Sequence, residues 1–174
     1  MGYSAIDWLP YLEPTDDART VYAVHQYAPV CYTHQWKRLK IGYPGVHDVN
    51  WDGRKDEFDK EWIDDLLGII DEYVEGNSVP VAITEFGLIR WEPGADRFMD
   101  DQMALLEKRE INHALWVWDP SWEPWTEEVD AFNFRHGPDK RNHREVASSD
   151  LISIIRKYWE RNTLRPSSFL KTGD

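Results

Sequence analysis

Three stretches of this chain place side chains able to do acid, base or nucleophilic chemistry where an apolar run stops. The first ends His25-Gln26-Tyr27, the second Thr84-Glu85-Phe86-Gly87 and the third Trp116-Val117-Trp118-Asp119. Glu85 closes the short apolar run Val79-Pro80-Val81-Ala82-Ile83, and a charge at the end of such a run is uncommon without a reason. Period-two alternation puts His25 and Tyr27 on one face of their strand. It groups Val81, Ile83 and Glu85 on one face of the second, and Asn112, Ala114, Trp116 and Trp118 on one face of the third. An imidazole, a phenol, a carboxylate and an indole at one rim form a far more specific signal than any one of them. Each also has a plainer reading. Glu85 could pair with Arg90 or Arg97, His25 could be a packed histidine bonded to backbone, and Trp116 reads as core while Trp118 reads as an exposed platform.

The elements that must carry these residues follow from the pattern between them. Strand formers run from 20 to 27, from 79 to 84 and from 112 to 118. Helical spacing of Phe58, Trp62, Ile63, Leu66, Ile69, Ile70 and Tyr73 predicts a helix over 56–74, stopped at Gly76-Asn77. A second helix is predicted over 95–109, and a third begins after the capping run Ser148-Ser149-Asp150. The order β-α-β-α-β-α predicts a parallel sheet with right-handed crossovers, covered on both faces. In parallel α/β folds the chemistry lies at the carboxyl ends of the strands, where all three motifs fall.

Composition narrows the function classes. The 174 residues contain 20 Lys+Arg against 32 Asp+Glu, a formal charge of −12, which argues against nucleic acid or an anionic membrane as partner. One cysteine leaves no internal disulfide and no Cys-rich zinc site, and no His-Glu-x-x-His pattern suggests a metal, so no cofactor is expected. No run of about 18 apolar residues is present. The first residues carry no basic and apolar leader, so no signal peptide is expected, and the compartment stays open. Ten tryptophans exceed what a small core uses, since each buried indole N–H needs a partner. Many indoles with many carboxylates suit a carbohydrate cleft, where flat rings stack on sugar C–H faces and carboxylates bind hydroxyls; on composition alone the plainer reading, a few core tryptophans with an acidic solvated surface, stands ahead of it.

With these residues in view, the chain resembles glycoside hydrolase family 5, the retaining (β/α)8-barrel cellulases and their relatives. The resemblance rests on Val24-His25-Gln26-Tyr27-Ala28-Pro29, Tyr32-Thr33-His34-Gln35, Pro80-Val81-Ala82-Ile83-Thr84-Glu85-Phe86-Gly87 and Ala114-Leu115-Trp116-Val117-Trp118-Asp119-Pro120, in that order. It implies a partial TIM barrel, roughly the last three strand–helix units, with residues 1–174 forming the C-terminal part of a barrel domain. It implies Glu85 as nucleophile, Tyr27 holding Glu85 through its hydroxyl, His25 lining the adjoining sugar subsite and Trp118 as the hydrophobic platform. The implied function is O-glycosyl hydrolysis in polysaccharide or β-glucoside breakdown, with a non-catalytic carbohydrate-binding or scaffold role as the alternative.

A full barrel of this kind takes about 250 residues, and its acid/base Glu sits in an Asn-Glu-Pro motif after the fourth strand. Glu-Pro occurs here at Glu13, Glu92 and Glu123, none of them after an apolar strand with Asn before it, although the Glu123 loop opens at the correct rim. His34 and Gln35, and Trp122 and Trp125, are further subsite candidates; the plainer readings are a loop-capping pair and loop pins. A partial barrel also leaves parallel strand edges and an apolar inner face unpaired, which calls for a partner half-barrel, self-association or local rearrangement.

Overall fold

The computed structural model describes residues 4–35, 40–118 and 127–162. A 3-10 turn over Ile6–Tyr11 precedes β1 (Tyr22–Gln26), α1 (Val30–Thr33), β2 (Gly45–His47), β3 (Asp56–Phe58) and α2 (Lys60–Asn77). β4 (Val81–Phe86), α3 (Ala95–Lys108), β5 (Asn112–Leu115), α4 (Glu127–Phe132) and α5 (Asp150–Trp159) complete the order. β1, β4 and β5 form a parallel three-stranded sheet in that order, and β2 and β3 pair antiparallel in the insertion between β1 and α2. The described residues therefore make an open α/β layer and not a closed barrel.

Local chemistry sets the helix ends. The Asp59 side chain accepts from the backbone N–H groups of Glu61 and Trp62, so α2 starts at Lys60 and the expected first turn at 56–58 is instead strand β3. Ser149 caps α5 in the same way through Ile152 N–H. Tyr22, Val24, Val81, Ile83 and Phe86 face the helices and are buried with Ile63, Leu67 and Ile70 of α2, Phe98, Met99 and Met103 of α3, and Leu151 and Ile155 of α5.

The opposite face of the sheet is open. Val21 is 57% exposed, and Ala23, Thr84, Asn112 and Ala114 are exposed as well. The expectation that both faces are covered does not hold among the described residues. The reason is visible in the side chains: this face carries alanine, threonine and asparagine, not the large aliphatics of a buried face.

Two loops outside the sheet are tied by a buried acid. Glu92, 3% exposed, accepts from Gln35 N–H and Gln35 Nε2, each at 3.0 Å, while Gln35 also holds the chain at Lys40 and Ile41. Burial outweighs these hydrogen bonds and pushes the Glu92 carboxyl up from an ordinary 4.5 to about 8. The unfolded chain therefore loses this proton first, and between about 4.5 and about 8 the fold loses stability as pH rises. Thermal melts of the wild type are expected to fall across that window, and Glu92→Gln should flatten the slope.

Candidate active site

The carboxyl ends of β1, β4 and β5 open into a cavity of about 490 Å³ lined by His25, Tyr27, His34, Glu85, Trp116, Glu128 and Phe132, with Ala5–Asp7 at one side. His25 and Tyr27 reach it by simple alternation from β1. Glu85 does so through a bulge. The register runs Val24 opposite Ile83 and His25 opposite Glu85, so β4 spends two residues where β1 spends one. Val81 and Ile83 consequently point to the helices, while Glu85 swings to the open face. The expectation that Glu85 shares a face with Val81 and Ile83 is corrected by this extra residue.

The Tyr27 hydroxyl donates to Glu85 Oε2 at 3.2 Å, and His25 Nδ1 lies 3.4 Å from the same oxygen. No described residue hydrogen-bonds the other oxygen, Oε1. Burial, the charge of Glu85, their hydrogen bond and the charge of Glu128 all push the Tyr27 phenol far above its ordinary range, so it stays a donor. Its ring packs edge-on against His34 and Phe132, with centroids 5.3 and 6.0 Å away. Thr33 Oγ1 donates to the Tyr27 carbonyl at 2.6 Å and lies 2.8 Å from His34 Nδ1. Burial keeps His34 below the usual imidazole range, hence neutral and suited to this aromatic packing.

Trp116, not Trp118, is the indole at the pocket. β5 ends at Leu115 and the chain turns at Trp116–Val117, so alternation does not carry on to residue 118. Trp118 packs edge-on against Trp159 of α5 at 4.7 Å, with the Arg156 guanidinium 5.8 Å from its ring centre. Gly87 lets Trp116 approach: a Cβ there would collide with the Trp116 carbonyl oxygen, and Trp116 N–H donates to Phe86 O at 2.8 Å. The two indoles should separate cleanly. Trp116→Ala should widen the pocket and leave the thermal melt nearly unchanged. Trp118→Ala should leave the pocket intact and cost about 1.5–3 kcal/mol of stability in the same measurement.

The other candidates fall elsewhere. Arg90 does not pair with Glu85; its guanidinium is buried against Asp130, at 3.2 Å. Glu92 bonds Gln35 and does not line the pocket. Glu13 is not among the pocket residues, and Glu123, Trp122 and Trp125 lie outside the described residues. Asp7, Glu128 and Phe132 had no signal in the sequence. Asp7 arrives because Ser4–Ala5 runs beside β1, with His25 N–H donating to Ser4 O at 2.8 Å. Among the described residues no three His, Cys, Asp or Glu side chains group to hold a metal ion, and no helix is long and apolar enough to cross a membrane.

A family model described as Cellulase (glycosyl hydrolase family 5) matches residues 3–121, a span that includes β1, β4, β5 and the pocket residues His25, Tyr27, Glu85 and Trp116. The chain belongs to glycosyl hydrolase family 5. Solved structures share its fold as part of a larger TIM barrel. Endoglucanase Cel5A from the hyperthermophile Thermotoga maritima is 18% identical at a TM-score of 0.61, over 88% of this chain and 45% of that one. A family 5 xyloglucan-specific endo-β-1,4-glucanase from a metagenomic library, solved with cellotriose, is 20% identical at a TM-score of 0.55, over 89% and 40%. The clostridial cellulose synthase subunit Z from Clostridioides difficile is 18% identical at 0.57, over 87% and 45%. This family 5 chain thus spans less than half the length of each of these relatives, and at these identities the likeness is one of fold. No curated protein matches it.

Proposed function

We propose that this chain carries the nucleophile half of a retaining O-glycosyl hydrolase acting on β-linked polysaccharide or β-glucosides, as the C-terminal part of a barrel domain. Glu85 is the nucleophile, Tyr27 and His25 hold it and line the adjoining sugar site, and Trp116 takes the platform role. One observation carries the reading. Glu85 Oε2 is held by the Tyr27 hydroxyl and faced by His25, while Oε1 is unbonded by any described residue and the pocket lies beside it. A carboxylate so oriented can attack the anomeric carbon through Oε1, forming a glycosyl ester as the bond to the leaving oxygen breaks.

The test is a covalent one, because the aryloxy group of an activated aryl glycoside leaves as phenolate without a proton from the enzyme. Incubating the chain with an aryl 2-deoxy-2-fluoro-β-glucoside is expected to add one glycosyl group, mapped to the peptide bearing Glu85. Sugar binding with no adduct would favour the non-catalytic reading.

Turnover on polysaccharide needs a second carboxylate as acid and base. β5, which among the described residues has a strand on one side only, supports completion by a second half-barrel, a partner or another copy of this chain. Light scattering at micromolar concentration is expected to give a mass above the monomer. A cooperatively melting monomer would count against completion by self-association.

A further inference from the structure

A buried threonine decides which nitrogen of His34 carries the proton. Thr33, wholly buried at the end of α1, has a single hydroxyl hydrogen, and it goes to the Tyr27 carbonyl at 2.6 Å. His34 Nδ1 lies 2.8 Å from the same hydroxyl oxygen. With its hydrogen committed, Oγ1 can only accept there, so Nδ1 must be the protonated nitrogen. Burial disfavours a second proton on the ring. Nε2 is left with a bare lone pair, and no described residue hydrogen-bonds it. The ring itself lines the pocket and packs against Tyr27 and Phe132, with centroids 5.3 and 5.1 Å away. Glu85 Oε1 is a second acceptor there without a described donor, because the Tyr27 proton is committed to Oε2. Two open acceptors match hydroxyl groups, which bring protons, better than carboxylate oxygens, which bring none.

We propose that His34 is a sugar-binding residue and Thr33 its positioning residue: Thr33 fixes the Nδ1–H tautomer, and Nε2 accepts a hydrogen bond from a hydroxyl of the bound pyranose. This deepens the sugar-site reading of the same pocket and rests on it. Thr33 acts only through the ring and does not touch the ligand. The other tautomer would turn a donor toward the sugar and leave the Thr33 hydroxyl facing two acceptors with one hydrogen.

The experiment labels the full chain with 15N and reads the tautomer from long-range 1H–15N correlations of its histidine rings. Signals of His34 are assigned by their loss in His34→Phe, which keeps an aromatic ring against Tyr27 and Phe132. At about pH 7.5, above the ordinary imidazole range, His34 is expected to carry its hydrogen on Nδ1 with Nε2 bare. Thr33→Ser should keep that pattern. Thr33→Val, or Thr33→Ala where valine disturbs the fold, should move the hydrogen to Nε2, which carries it in free histidine. An Nε2–H ring in the wild type overturns the proposal, and so does a ring that stays Nδ1–H without the Thr33 hydroxyl. Cellobiose is the ligand probe. Its addition is expected to move the Nε2 resonance toward the protonated value, and His34→Phe should weaken its binding about tenfold, as loss of one hydrogen bond gives. Binding that moves other pocket signals but not Nε2, or equal binding by His34→Phe, overturns the acceptor role and leaves the sugar site standing. Failure of cellobiose to bind overturns the sugar-site reading and this proposal together. Movement of Nε2 without a glycosyl adduct at Glu85 upholds this proposal and overturns only the nucleophile.

Discussion

Glu85→Gln is expected to abolish glycosyl transfer to the chain from an activated aryl glycoside. A carboxamide nitrogen or oxygen is a far poorer nucleophile than a carboxylate, and the intermediate ester cannot form on it. The rate of adduct formation should fall by at least about 10³-fold, to below detection by mass spectrometry. The substitution is close to isosteric, and Glu85 is only partly buried, so the melting temperature should hardly move. Tyr27→Phe tests the geometry separately. It removes the hydroxyl that donates to Oε2 but keeps the ring between His34 and Phe132. A hydrogen bond to a charged group is worth about 1.5–3 kcal/mol, so adduct formation should slow by about 10- to 100-fold without vanishing. Labelling of Glu85→Gln at the wild-type rate, on any residue, would show that another group attacks.

The two aromatic and acidic ends of this site differ in how far sequence could place them. His25 and Tyr27 need only the two-residue period of a regular strand, which any strand keeps. Glu85 needs that period to fail, and the bulge between Ile83 and Glu85 leaves no composition signal, because Thr84 is an ordinary strand residue. Trp116 and Trp118 share a parity on paper, and what separates them is the turn at Trp116–Val117, directly after the last ladder pair at Leu115. The three parallel strands, their helices and the family resemblance were legible because each rests on long periodic runs or on motifs in order. The small, polar open face is legible too, in Ala23, Thr84, Asn112 and Ala114, which alternate with the more buried positions of their strands. β2, β3 and α4 are three to six residues long, shorter than the windows on which periodicity can be judged. Glu128 and Phe132 reach the pocket on α4, so the least legible element supplies part of the pocket wall.

The Arg90 side chain is the central polar anchor of α4, beside its apolar packing on Ile89 and Val117, and its loss should be strongly destabilising. Arg90 is wholly buried and sits five residues beyond Glu85, on the loop after β4. Its Nε donates to the Asp130 carbonyl at 3.0 Å and its Nη2 to Asp130 Oδ2 at 3.2 Å and to Asn142 O at 2.7 Å. Its Nη1 donates to the carbonyls of Gly137 and Asp139. Asp130, 2% exposed, also lies 2.6 Å from His136 Nδ1 and 2.9 Å from His143 Nδ1. One guanidinium thus fastens α4 and the loop from 137 to 142 to the strand end that bears Glu85. Arg90→Met leaves several buried carbonyls without a donor and a buried carboxylate without its arginine, a loss of about 3–5 kcal/mol. For a chain of this size that lowers the melting temperature by about 10 °C. Lysine cannot stand in, since a single ammonium with three donors cannot reproduce the planar fork. If the buried charge is what makes the loss large, removing both partners must hurt less than the two single losses added together. Arg90→Met with Asp130→Asn should therefore recover about 1–3 kcal/mol relative to additivity in a double-mutant cycle. Strict additivity would mean that the carbonyl contacts alone carry the effect, and that the ion pair with Asp130 adds nothing to the anchoring of the pocket wall.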